Sequence, residues 1–162
     1  MAESMKAVIL MGSKADLEYG VEIAEKLKLF GIESELRVAS AHKTPEYVLK
    51  IIRGYEKEDV IFVTIAGRSN ALSGFVDANT SKPVIASPPY SEKFAGADIF
   101  SSIRMPSGVA PMLVLEAENT ALAVAKIFAI KSENVRLAVE EYQKKKKEEI
   151  VKADREVTHG KR

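Results

Sequence analysis

The chain has 162 residues, with 24 Lys and Arg against 23 Asp and Glu, a formal net charge of +1 and no cysteine. Near-neutrality gives no broad electrostatic attraction to nucleic acid or an anionic membrane, and the lack of cysteine excludes a disulfide scaffold, a thiolate metal site and a cysteine nucleophile. With 46% hydrophobic and 29% charged residues the balance is that of a globular chain, and the length suits one domain, 1–162, whose last part, 132–162, reads as a charged helix and tail.

In chain order, "MAESMKAVILMGS" has too short an apolar run for a signal peptide. No later stretch approaches a membrane span, so a cytoplasmic location is expected. "KAVILMGS" predicts a strand buried on both faces. "ADLEYGVEIAEKLKLFG" predicts a helix with Leu17, Val21, Ala24 and Leu27 on its buried stripe, widened by Ile23 and Phe30, and stopped by Gly31. "ESELRVAS" is a more polar strand, suited to a place near a sheet edge. Thr44 reads as an N-cap with Pro45 in the first helical position, and Val48, Ile51, Ile52 and Tyr55 form the buried face of that helix.

"DVIFVTIAG" is the clearest buried strand. "NALSGFVDANT" predicts a short helix and "KPVIAS" a fourth strand. "PPYSEKFAGAD" reads as an irregular loop leading to a helical turn and loop in "IFSSIRMPSG". "PMLVLE" fits a fifth strand or a helix start, with strand preferred. "NTALAVAKIFAI" is a helix rich in small residues. From Ser132 a charged helix is expected to run to about Asp154, leaving His159 in a frayed tail.

Strands alternating with helices predict parallel βαβ units. The expected fold is α/β: a three-layer, doubly wound parallel sheet of flavodoxin type, order near 2-1-3-4-5, with a long C-terminal helix. Ligands of such sheets bind beyond the carboxyl ends of the strands, where the strand order reverses. That rule selects the segments "MGSKAD", "ASAHKTP" and "AGRSNALSG".

Each segment carries usable chemistry. Gly12 allows close backbone approach, and Ser13 offers a hydroxyl beside helix N–H groups suited to a phosphate. Asp16 could cap the helix or accept hydrogen bonds from a ribose diol. The same residues also suit an ordinary strand-to-helix turn. His42, at a helix entrance, is a candidate proton carrier near pH 7, and Ser40 and Lys43 beside it could hold a phosphate. Gly67, Ser69 and Asn70 could form a backbone-rich concavity over a planar ring or a carboxylate, or simply a βα turn with an Asn cap. Arg68 and Arg104 could neutralise an anion, but the sequence assigns them no role. No metal site is evident, and no G-x-S-x-G elbow supports a serine triad.

Together "MGSKAD", "SAHKTP", "AGRSNALSG" and "RMPSG" resemble, in order and spacing, the aminoimidazole ribonucleotide carboxylase (PurE) family of purine biosynthesis, over about residues 6 to 130. One branch of that family rearranges a ribonucleotide carbamate, N-carboxyaminoimidazole ribonucleotide, into its carbon-carboxylated isomer. The other adds carbon dioxide directly to 5-aminoimidazole ribonucleotide. The mutase branch carries a longer third loop with a second histidine; here the loop reads "GRSNALSG", with Ala71 where that histidine would fall and Lys43 for the usual arginine. The resemblance is therefore to the direct carboxylase.

The resemblance implies that Ser13, Ser40 and Lys43 hold the phosphate region, Asp16 the ribose hydroxyls and His42 the proton at the ring carbon. Gly12 would admit the ligand, while Gly67, Ser69, Asn70 and neighbouring backbone would shape the ring and carbon dioxide pocket. It implies no cofactor, a small-molecule substrate pair and a homo-oligomer, octamer or tetramer, with no nucleic acid or membrane partner. The rival readings are the mutase, a carboxylase of another aromatic ring, and a non-catalytic nucleotide-binding flavodoxin-like module.

Overall fold

The computed structural model describes residues 5–159. Its centre is built from the apolar runs. Strands β1 (Lys6–Met11) and β3 (Val60–Ile65) are almost wholly buried, because helices cover both of their faces. Strand β2 (Glu33–Val38) is more polar and lies at one edge; β4 (Val84–Ala86) and the two-residue β5 (Met112–Leu113) complete a parallel sheet of order β2-β1-β3-β4-β5.

Strand alternation divides the core in two. Ile9, Met11, Val63 and Ile65 face helices α1 (Leu17–Lys28), α4 (Ala117–Phe128) and α5 (Glu133–His159). Val8, Leu10 and Phe62 face α2 (Pro45–Gly54) and α3 (Ala71–Asp77). Val48, Ile51 and Ile52 on α2 and Tyr55 at its C-cap are buried as their spacing predicts. Arg37 fastens the edge strand to that helix, donating to Glu35 at 3.2 Å and to the Tyr55 hydroxyl at 3.3 Å.

Register positions the site. Met11 lies level with both Val38 and Ile65, so the turns after β1, β2 and β3 leave the sheet at one height. They are tied there: the Ala39 N–H donates to the Met11 carbonyl and the Gly12 N–H to the Ile65 carbonyl, each at 2.9 Å.

Four local expectations need correction. The buried face of α1 is Gly20, Ile23, Ala24 and Leu27, while Leu17 and Val21 are 37% and 41% exposed. The cause is Gly20: a Cβ there would sit 2.8 Å from Met11 Sδ and 3.1 Å from Leu36 Cδ2, so the helix approaches the sheet on its glycine and the stripe is rotated. Thr44 does occupy the N-cap of α2, with Pro45 in the first turn, but its side chain makes no cap bond. Instead it bonds Ser40, donating to the carbonyl at 3.1 Å and accepting from the N–H at 3.0 Å. Asp16, at the N-cap of α1, likewise makes no side-chain cap bond. Finally, α5 does not fray at Asp154; it continues through His159. Neither Gly nor Pro interrupts 133–159, and pairs such as Lys144–Glu148 and Lys152–Glu156 add support along the exposed face. Gly31, by contrast, ends α1 as expected, in the left-handed region at φ +69°.

Candidate active site

The three turns after β1, β2 and β3 meet where the strand order reverses between β1 and β3. Each has its own internal brace. Ser13 caps a 3₁₀ turn, Lys14–Asp16, by accepting from the Ala15 N–H at 3.2 Å. Ser40 accepts from the Lys43 N–H at 3.2 Å, and its carbonyl from the Thr44 N–H at 2.8 Å, which closes 40–44 into a tight turn carrying His42 at its tip. The imidazole is exposed and, among the described residues, has no hydrogen-bond partner; Lys43 is exposed beside it.

The third turn is held differently. Asn70 is 5% exposed; it caps α3 by accepting from the Ser73 N–H at 3.2 Å, and its side-chain amide donates to Ser102 Oγ at 2.8 Å. Asn70 is thus spent on structure, whereas Gly67 and Ser69 lie on the rim. Arg68 stands at φ +61°, and its N–H donates to Asp98 Oδ2 at 3.1 Å. Ser101 Oγ accepts from the Asn70 N–H at 3.0 Å. Asp98, Ser101 and Ser102, all in the 3₁₀ turn Ala97–Ser102, were not selected from sequence. Nothing local in "GADIFSS" points to a turn about thirty positions earlier; only the tertiary fold joins them.

Two glycines of the rim are not explained by their own chain. Neither Gly12 nor Gly67 has positive φ, and an added Cβ would find ordinary contacts no closer than 3.6 Å at Gly12 and 3.8 Å at Gly67. A missing side chain that the fold does not require leaves room for something else against the backbone. Asp16 is half-buried, and burial raises its carboxyl pKa above the ordinary value. A turn further along α1, burial likewise raises the Tyr19 hydroxyl, which bonds Ser87 Oγ at 2.9 Å; that oxygen bonds Thr120 Oγ1 at 2.6 Å.

The small residues Ala39, Ala41 and Ala66 pack against the Val8/Leu10/Phe62 side of the core just below this rim. Open concavities lie elsewhere: one of about 810 Å³ among Val60, Ile61, Pro83 and Phe128, at the opposite end of the strands, and one of about 670 Å³ between α4 and α5. Those concavities are lined by polar residues of their own, Asp59, Lys82 and Glu133 in the first and Glu118, Gln143 and Lys146 in the second, whereas the rim gathers Ser13, Asp16, Ser40, His42, Lys43 and Ser69 from three separate turns. Among the described residues no group of three or more His, Cys, Asp or Glu is placed to hold a metal, and no helix is long and apolar enough to cross a membrane.

The rim and the strand order put the chain among the doubly wound α/β proteins that hold their ligand over the carboxyl ends of the strands. Comparison then narrows the class: the AIR carboxylase family profile matches residues 6–149, and the chain belongs to that family. It is 75% identical over 155 residues to a phosphoribosylaminoimidazole carboxylase of Archaeoglobus fulgidus, covering 96% of this chain and 86% of that protein. It is 48% identical to the Treponema denticola protein of the same description, over 91% and 94% of the two chains. A mouse bifunctional carboxylase/succinocarboxamide synthetase is 42% identical over 76% of this chain, which spans 29% of that longer protein. The crystal structure of Treponema denticola PurE superposes with a TM-score of 0.91 at 45% identity, over 97% of this chain and 99% of that one. The chain is accordingly an enzyme of the carboxy-lyase class, acting in purine biosynthesis.

Proposed function

We propose that this enzyme carboxylates 5-aminoimidazole ribonucleotide directly with carbon dioxide, using His42 as its single proton carrier. The observation that carries the reading is Ala71, the first residue of α3, where the mutase branch has an imidazole. The third turn, Gly67-Arg68-Ser69-Asn70-Ala71, then offers no imidazole. The chain has two histidines, and the other, His159, is the last residue of α5.

The chemistry needs little equipment. The amino group makes the ring an enamine, so its unsubstituted carbon attacks carbon dioxide. The new C–C bond forms from a ring π pair, and a C=O π pair moves onto oxygen to make a carboxylate. The ring carbon is now tetrahedral and still bears its proton. His42 accepts that proton, the C–H pair restores the aromatic ring, and the imidazolium releases its proton to solvent. In reverse, protonation of the same carbon expels carbon dioxide. A base of this kind contributes about 10²–10⁴ in rate, and orientation of the ring contributes further.

The remaining residues bind and orient. Ser13, Ser40 and Lys43 take the phosphate, Asp16 accepts from the ribose hydroxyls, and the Gly12 and Gly67 turns lie against the nucleotide. Ala39, Ala41, Ala66 and Ala71 supply the small apolar surface that an uncharged, linear gas molecule requires. An exposed His42 calls for a further wall, and we infer that a neighbouring subunit provides it. Support comes from the β4–β5 connection beside the rim, where Tyr90, Phe94, Phe100 and Ile103 are all exposed. An uncovered apolar cluster of this kind marks a protein contact surface.

The test offers the purified enzyme two substrates separately: aminoimidazole ribonucleotide with bicarbonate, and the carbamate isomer under conditions that remove free carbon dioxide. Turnover of the first alone is expected. Turnover of the carbamate alone would establish the mutase instead.

A further inference from the structure

We propose that Asp98, assisted by Ser101, is a positioning residue for carboxylation: its carboxylate holds the β3–α3 turn in a strained shape that aims backbone amides at the carbon dioxide end of the substrate. This rests on the direct-carboxylation reading above. Arg68 lies at φ +61°, in the left-handed region that is strained for an L side chain. Such a conformation persists only where surrounding contacts fix it.

Here those contacts come from one place. The Asp98 carboxylate accepts from the Arg68 N–H at 3.1 Å, a charge-assisted bond stronger than a neutral one. Ser101 Oγ donates to the Asp98 carbonyl of its own turn at 2.8 Å, with the Arg68 carbonyl a more distant second acceptor at 3.3 Å, and accepts from the Asn70 N–H at 3.0 Å. Ser102 Oγ accepts from the Asn70 side chain at 2.8 Å. Residues 68 and 70 are therefore bound inward by a single 3₁₀ turn, whereas the N–H groups of Gly67 and Ser69 have no acceptor among the described residues. As the C–C bond forms, negative charge grows on the oxygens of carbon dioxide. Donors already fixed in place stabilise that charge without reorganising. A loosened turn would lose this advantage while leaving the phosphate and ribose contacts of the other two turns intact.

The test compares wild type, Asp98→Ala, Asp98→Asn and Ser101→Ala in steady-state carboxylation, with ribonucleotide affinity measured by titration calorimetry. Asp98→Ala is expected to lower kcat about tenfold to a hundredfold at unchanged ribonucleotide affinity. Asp98→Asn should recover most of the loss, since its amide oxygen still accepts from Arg68. In an Arg68→Gly background the loss caused by Asp98→Ala should shrink, because glycine takes positive φ without strain. A folded Asp98→Ala enzyme with wild-type kcat, or an Asn variant as impaired as the Ala variant, would overturn the proposal. If Asp98→Ala does not fold, Ser101→Ala decides: reduced kcat at unchanged affinity supports the clamp, and unchanged kcat refutes it. Failure of the wild type itself to carboxylate the ribonucleotide would instead refute the reading on which the clamp rests.

Discussion

At Asp16, burial raises the carboxyl pKa, so the folded state holds this proton more tightly than the unfolded chain does. The ionised group therefore destabilises the fold above its native pKa, and the penalty disappears below the unfolded value of about 3.9. The side chain makes no cap bond in return. Asp16→Asn should accordingly raise Tm at pH 7, with the gain fading as pH falls through the raised native pKa and gone below about 3.9. It should also weaken ribonucleotide binding about tenfold by removing a charged acceptor. Calorimetric melting across pH, with titration of the ligand, measures both; equal affinity in the two proteins would remove the proposed ribose role. At His42 the expectation is the opposite pattern. His42→Asn should bind ribonucleotide nearly as the wild type does while turnover falls at least about a hundredfold. Near-normal turnover would mean that another group moves the proton.

At the scale of elements, α1 shows how one residue sets a helix's orientation. Periodicity alone favours a stripe through Leu17 and Val21, yet the helix is seated on Gly20, against Met11 and Leu36. Gly20→Val should overpack that contact and cost about 2 kcal/mol, read as a lower urea midpoint at unchanged slope. No change in midpoint would show that α1 can lift without cost. The turn 40–44 teaches a related lesson. Thr44 was legible as a helix boundary, but its hydroxyl serves Ser40 instead of the helix, because only in the folded turn does it meet the Ser40 backbone N–H and carbonyl. The 3₁₀ turn Ala97–Ser102 was legible as a helical turn but not as a brace.

For the whole molecule, His42 stands exposed after the edge strand β2, and the β4–β5 connection, with Tyr90, Phe94, Phe100 and Ile103 exposed, meets the rim at the β3–α3 turn through Asp98 and Ser101. If subunits join there, Tyr90→Asp should shift the sedimentation coefficient to a smaller species and depress turnover with it, since Tyr90 is 85% exposed and costs the isolated fold nothing. A variant of unchanged size and activity would place the subunit contact elsewhere.

The sequence by itself determined the sheet. Two fully apolar runs must be covered on both faces, and alternating strands and helices admit few right-handed arrangements. The switch point, and hence the candidate rim with Gly12, Ser13, Asp16, Ser40, His42, Lys43, Gly67 and Ser69, followed from that order. Tertiary structure alone decided what fixes the rim. Asn70 turned out to be a cap anchored on Ser102, Asp98 joined Arg68 across the fold, and α1 rolled onto its glycine. Hydrogen bonds and close packing between distant segments depend on where two separate pieces of chain come to rest, and local composition carries no record of that distance.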